Sequence, residues 1–174
     1  MTNTIRHSCG NSTLGEFAIA ASDRGLVMIE FPRHDAIAAL VEQLQEGYPE
    51  AVIIEDHDAM AESLGRVAAL IECPASKHDL SLDMRGSDFE LRVWNALREI
   101  AAGTTVTYGD IATQIGAPKQ AREVGEACAA NPLAVVVPCH RVVRKNGSVS
   151  GYRWGVKRKR ELLRREASEL VLAA

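Results

Sequence analysis

A cysteine and a histidine stand side by side at Cys139 and His140, in PCHRV, directly after the apolar run LAVVV at residues 133–137. A thiol with an ordinary pKa of about 8.5 is mostly protonated at neutral pH, and only the thiolate attacks carbon well. Such a nucleophile needs a base or a positive neighbour, and His140 is adjacent in sequence. Successive side chains of an extended segment point to opposite faces, so the two meet either by a direct hydrogen bond or through an ordered water. A third member is suggested by GVKRKRELLRREASELVL, residues 155–172, where Leu162 and Leu163 read as core-facing. Glu166 follows on that same helical face, and Leu170 comes four residues later. A carboxylate on an apolar stripe is costly to bury unless it is paired. Glu166 holding one ring nitrogen of His140, and leaving the other to accept the thiol proton, follows the orienting logic of a triad. The competing reading is an inert buried cysteine, a satisfied core histidine and a surface glutamate, and spacing alone leaves both open.

The elements that must position these residues are legible in outline. LAVVV reads as a short buried strand ended by Pro138, and Asn146-Gly147 is a strong hairpin signal that folds SVSGYRW back against CHRVV. Upstream, GEFAIAA and RGLVMIEF read as strands joined by SDRG, followed by a helix over residues 34–47, a short strand AVII and a helix DAMAESLGRVAALI. CPASKHDLSLDMRGS reads as a connection containing one strand. From Ser87 the chain turns helical: Ser87 and Glu90 form a capping-box pattern, and Phe89, Val93, Trp94 and Leu97 form a core stripe. TYGDIATQIG and PKQAREVGEACAAN then read as two short helices, the second with Pro118 at an early helical position. They are compatible with a helix-turn-helix, as are many helical hairpins. The second carries Ala121, Gly125, Ala127, Ala129 and Ala130. Small residues on a helix serve either close approach to a duplex, whose minor groove is only about 6 Å wide, or tight packing on another helix.

Composition narrows the class. The 174 residues suffice for one large domain or two small ones, and 47% hydrophobic with 25% charged residues is ordinary for a globular chain. No apolar run approaches the roughly 20 residues that cross a bilayer, and MTNTIRHSCG lacks the layout of a secretion signal, so no membrane partner and a cytoplasmic location are expected. Cys9, Cys73, Cys128 and Cys139 show no CxxC spacing, and His7 with Cys9 makes only two ligands, so neither a disulfide framework nor a metal is expected. The net charge of −3 is uneven: residues 1–85 carry 6 Lys or Arg against 14 Asp or Glu, and residues 86–174 carry 14 against 9. The C-terminal half thus suits a polyanion.

PCHRV at 138–142, GYRWG at 151–155 and LLRRE at 162–166 together resemble the signature of the O6-alkylguanine-DNA alkyltransferases, the methylated-DNA–protein-cysteine methyltransferase family. VVRKNGSVSGYRWGVKRKRELLRRE is especially similar to the C-terminal repair domain of the bacterial Ada protein, and the likeness extends back through NPLAVVVPCHR, AREVG, GTTVTYGDIATQIG and FELRVWNALREI to LDMRGSDF. It implies an α/β (α+β) fold: a small N-terminal ribonuclease-H-like α/β domain, residues 1–80, then a mainly helical DNA-binding and alkyl-acceptor domain with a helix-turn-helix, residues 81–174.

The resemblance implies direct repair without a cofactor: one alkyl group passes from guanine O6 to Cys139, once per molecule, and O4 of thymine is a second donor the resemblance leaves open. It makes His140 the base through water, Glu166 its orienter, Asn131 the brace of the active-site turn, and Tyr108 the donor to the departing base. Arg122 is implied to fill the stack of an everted base in double-stranded DNA approached through the minor groove by a monomer, with Ala121, Gly125 and Ala129 permitting the approach. Val142, Tyr152, Arg153, Trp154 and Cys128 are implied to line the base pocket, beside a sulfur held as an activated anion. IAAG at 100–103 and Glu123 depart from the common family wording, and Glu126 shares a face with Arg122. Alternatives are an alkyltransferase-like binding module, against which Cys139 itself speaks, a fragment of an Ada-type regulator, and a Cys-His-Glu hydrolase, for which no esterase or protease motif is present.

Overall fold

The computed structural model describes residues 3–32, 37–149 and 151–173. Three antiparallel strands, β1 (Asn3–Ser12), β2 (Gly15–Ser22) and β3 (Gly25–Glu30), are joined on the β1 edge by β4 (Ala51–Glu55), which runs parallel to β1, in the order β3-β2-β1-β4. Two helices cover the sheet. Helix α1 (Ile37–Gly47) places Leu40 and Leu44 against Ile5, Ala18, Ala20 and Met28. Helix α2 (His57–Glu72) places Met60, Val67, Leu70 and Ile71 against Phe17, Ile19 and Ile29. Burial on both faces explains why β2 reads as an unbroken apolar run instead of an alternating one. Strand β1 is absent from the sequence reading because its polar residues hide the pattern; with a partner on each side it is nevertheless a central strand. Of the helix expected over 34–47, residues 34–36 lie outside the described residues.

The remaining helices are α3 (Asp88–Arg98), α4 (Tyr108–Gln114), α5 (Ala121–Ala130) and α6 (Val156–Ala173), so the architecture is mixed α+β. Ser87 caps α3 as expected: its hydroxyl accepts from the Glu90 N–H at 3.3 Å, and the Glu90 carboxylate accepts from the Ser87 N–H at 2.8 Å. Thr107 and Asp110 close a second capping box at α4. Trp94 is buried and donates its indole N–H to the Ala127 carbonyl at 2.9 Å, fixing α3 to α5. The larger apolar cluster runs from Phe17 and Ile29 of the sheet through Val93 and Leu97 to Val124, Leu133 and Leu162. Among the described residues no helix is long and apolar enough to cross a membrane.

Four local expectations are corrected. Residues 133–137 are buried but form a turn, not a strand: the Val137 N–H donates to the Leu133 carbonyl at 3.1 Å, and Val135 has φ +68°. Only Leu133 bridges to the sheet, at Ile29. The Asn146-Gly147 turn forms, with the Gly147 N–H donating to the Arg144 carbonyl at 2.8 Å, but no strand is formed by residues 148, 149 or 151–155. Instead β6 (Val142–Val143) pairs in parallel with β5 (Val106–Thr107). The strand expected in residues 73–87 reduces to a single bridge of Leu82 to Leu26. Pro118 precedes α5, because the Gln120 N–H turns back to the Ala117 carbonyl and helix begins at Ala121.

Candidate active site

Cys139 opens a one-turn 3-10 helix, Cys139–Arg141, between the buried turn and β6. Asn131, at the end of α5 and fully buried, organises that turn. Its side-chain amide donates to the Val137 carbonyl at 2.9 Å and to the Cys139 Sγ at 3.3 Å, while its Oδ1 accepts from the Leu133 N–H at 2.9 Å. These bonds hold Val135 in the left-handed region, which a β-branched residue avoids at a cost of about 1–3 kcal/mol. The pairing of β5 with β6 brings Tyr108, the first residue of α4, alongside the same turn.

The sulfur lies on one wall of a cavity of about 300 Å³. Tyr108 contributes a second wall, Gly125, Cys128 and Ala129 of α5 a third, and Gly151, Tyr152 and Arg153 the last. A Cβ on Gly125 would sit 3.8 Å from the Tyr108 ring, so a larger side chain there would enter the space. Val142 and Trp154, expected among the lining residues, are not there. The Val142 carbonyl accepts instead from the Lys159 ammonium at 2.6 Å. Trp154 is buried beneath the loop, donates its indole N–H to Glu30, and meets Tyr152 edge-on at 5.1 Å.

His140 and Glu166 are both fully buried and joined, Nε2 to Oε1, at 2.7 Å. Glu166 also accepts from Arg141, at 3.0 Å from Nε and 2.9 Å from Nη2, and from the Gly103 N–H at 2.9 Å. Burial pushes the Glu166 carboxyl up, but the hydrogen bonds from His140 and Arg141, the charge His140 acquires in acid and the Gly103 N–H outweigh it and hold the group at about 2. It is therefore an ionised acceptor, and His140 presents Nε2–H to it. Burial lowers the His140 pKa further than Glu166 raises it, so the ring is neutral. Its Nδ1 is then the basic nitrogen, buried and without a hydrogen-bond partner among the described residues.

Burial likewise pushes the Cys139 thiol up, while the Asn131 amide, the Lys159 ammonium and the Arg153 guanidinium pull it down less strongly. The resting sulfur is a thiol, contrary to the expected standing anion. Burial and the neighbouring sulfur drive Cys128 up so far that it stays protonated. Burial first, then Cys128 and Cys139, also raises Tyr108, so its hydroxyl keeps its proton to donate.

The small residues of α5 divide between the two readings given them. Ala127 is buried and its carbonyl receives Trp94, whereas Gly125 and Ala129 face the cavity, Ala121 is half-buried and Ala130 exposed. Arg122 projects from this helix, 90% exposed, and is paired with Glu126 at 3.2 Å. Sequence reasoning missed Arg141 and Lys159, both buried cations. The only signal was their place beside buried positions: Arg141 follows His140, and Lys159 precedes Leu162 by one helical turn. Among the described residues no cluster of His, Cys, Asp or Glu is placed to hold a metal.

Residues 88–168 match the 6-O-methylguanine DNA methyltransferase DNA-binding domain family. The chain is 38% identical over 157 residues to the inducible methylated-DNA–protein-cysteine methyltransferase of Bacillus subtilis, covering 88% of this chain and 87% of that protein. It is 43% identical over 163 residues to the bifunctional transcriptional activator/DNA repair enzyme Ada of Escherichia coli K12, covering 94% of this chain but only 46% of Ada. The crystal structure of Mycobacterium tuberculosis OGT in complex with DNA superposes with a TM-score of 0.78 at 34% identity, over 95% of this chain and 93% of that one. The chain is a member of the O6-methylguanine-DNA methyltransferase family.

Proposed function

We propose that this protein repairs alkylated DNA by moving the alkyl group of O6-alkylguanine irreversibly to Cys139. The observation that carries the proposal is the Cys139 sulfur on the wall of a small cavity, bound to Asn131 and followed by a histidine whose outer nitrogen is held by Glu166. A guanine O6 inside the stack is out of reach of a buried sulfur, so the damaged nucleotide must turn out of the duplex into the cavity. The thiol proton passes through one water to His140 Nδ1, and the sulfur attacks the alkyl carbon. The S–C bond forms as the C–O6 bond breaks, and the electron pair leaves with the purine. Tyr108 donates a hydrogen bond to the departing anion, the kind of fixed charge stabilisation that lowers a barrier. The product is a thioether that the residues at hand do not cleave, so each molecule acts once.

Helices α4 and α5 form the helix-turn-helix, with Ala121, Gly125 and Ala129 against the minor groove and Arg122 inserted where the base has left. Residues 1–80 form the ribonuclease-H-like supporting unit, and residues 81–174 bind DNA and accept the alkyl group. The protein acts as a monomer in the cytoplasm. The test is a duplex with one O6-methylguanine followed by peptide mass analysis: one methyl group on the Cys139 peptide, capped at one per protein, is expected. Turnover beyond one equivalent, or binding without a mass gain, would overturn the proposal.

A further inference from the structure

Glu30, the last residue of β3, reaches from the N-terminal sheet to the loop that walls the cavity at Cys139. Its carboxylate engages two adjacent residues of that loop at once. One oxygen accepts the Trp154 indole N–H, and the other lies 3.0 Å from the Arg153 guanidinium. All three groups are sheltered: the side chains of Glu30 and Arg153 are 14% and 26% exposed, and Trp154 is buried. The contacts continue inward. The Arg153 guanidinium sits 5.7 Å from the centre of the Trp154 ring, and Trp154 meets Tyr152 edge-on at 5.1 Å. From this stack, Tyr152 and Arg153 face the cavity at Cys139.

The loop backbone is held by other means. Arg158 of α6 donates to the Trp154 carbonyl and to the Leu14 carbonyl, each at 2.9 Å, and its guanidinium covers the Phe31 ring at 4.8 Å. The Gly155 N–H closes a turn onto the Tyr152 carbonyl at 2.9 Å. Removing the Glu30 charge therefore leaves the path of the chain in place and releases a side chain. Arg153 has room to move, because it also lines a second cavity of about 430 Å³, formed with Glu30, Phe31, Leu40 and Arg158. A long cation standing between two cavities is fixed by its anion; unpaired, it samples both.

We propose that Glu30 is a positioning residue of the base pocket: by holding Arg153 and Trp154 together, it keeps the Tyr152–Arg153 wall in the arrangement that receives the everted base. The inference rests on the alkyl-acceptor reading of Cys139. A base that fits one arrangement of the wall loses apparent affinity in proportion to the fraction of molecules in that arrangement. Glu30→Gln keeps an oxygen for the Trp154 indole but no charge for Arg153. Its methyl transfer from free O6-methylguanine should slow about fivefold, the effect of a wall that is competent about one-fifth of the time. Alkylation of Cys139 by iodoacetamide, which needs the sulfur but no base pocket, should not slow.

A merely structural role would lower the unfolding midpoint and leave the ratio of the two rates unchanged, and that result would overturn the proposal. So would additivity with Arg153→Met: because Glu30 acts through Arg153, Glu30→Gln should cost nothing further in that background. Should Glu30→Gln fail to fold, Glu30→Asp keeps the charge but withdraws it by one methylene, and it is held to the same ratio. A readout free of activity is the order of the Arg153 Nε–H by NMR. It should be ordered in the parent and mobile in Glu30→Gln, and an equally ordered group in the variant refutes the assignment. If the parent takes no methyl group from an O6-methylguanine duplex, the functional reading falls while the NMR comparison still tests the clamp, so the two failures are separable.

Discussion

Replacement of Glu166 by Gln removes one charge from a fully buried cluster and nearly nothing else. The carboxylate receives three groups through two oxygens: the His140 ring at 2.7 Å, the Arg141 guanidinium at 2.9–3.2 Å, and the Gly103 N–H at 2.9 Å. An amide has one acceptor oxygen, so its NH2 must oppose at least one of these donors. Arg141 is left as a buried cation without an anion, the situation that costs about 3–5 kcal/mol. For a chain of this size about 1 kcal/mol corresponds to roughly 2–4 °C in Tm, so a fall of about 6–20 °C is expected. Chemistry suffers separately. An NH2 facing Nε2 favours the tautomer that carries its proton on Nδ1, which disables the base and should slow alkyl transfer by about 10²–10⁴-fold. Thermal unfolding at pH 7 measures the first effect, and single-turnover transfer from a methyl-labelled duplex, well below the new Tm, measures the second. A variant that loses stability yet transfers within about threefold of the parent rate would refute the assigned proton path while sparing the structural account.

Asn131→Ala strips the partners from the Leu133 N–H and the Val137 carbonyl, both buried; it should lower stability by about 2–5 kcal/mol, and a urea midpoint within error of the parent would contradict the bracing role. Acid should destabilise the fold in two stages. His140 is lowered by burial, so the unfolded chain binds its proton first and stability falls as pH drops below the ordinary 6.5. Glu166, held at about 2 against an ordinary 4.5, contributes about 3 kcal/mol that is complete above 4.5 and lost as pH falls toward 2. Urea midpoints that stay flat between pH 8 and 4 would contradict the His140 part. Arg122→Ala should leave stability within about 0.5 kcal/mol, because its pair with Glu126 is exposed, while repair in duplex DNA falls more than reaction with free O6-methylguanine; equal losses would remove Arg122 from its role. Gly125→Leu should fold but fill the cavity beside Tyr108, abolishing transfer from DNA while Gly125→Ala retains it; transfer by the Leu variant at the parent rate would show that the base enters elsewhere.

What the sequence by itself determined follows from short-range rules. The capping boxes depend on residues three apart, the helix faces on a repeat of 3.6, and the placing of Glu166 on the buried face of the last helix on the same repeat. From these came the Cys139, His140 and Glu166 constellation, and α3 through α6 to within a few residues. Tertiary structure decided what local preference opposes or leaves silent. A run of five apolar residues, three of them β-branched, should extend, yet residues 133–137 turn, because Asn131 supplies the bonds a strand partner would have made and holds Val135 at positive φ. The partner of β6 is β5, 36 residues upstream, where no turn signal could point. Arg141 and Lys159 read as ordinary surface cations, and their burial is made tolerable by groups the sequence does not point to, among them the Glu166 carboxylate and the Ile100 carbonyl for Arg141 and the carbonyls of Val142 and Gly151 for Lys159. Periodicity reports which face of an element is apolar; which groups meet across that face, and hence the cavity at Cys139, is set by contacts between residues distant in the chain.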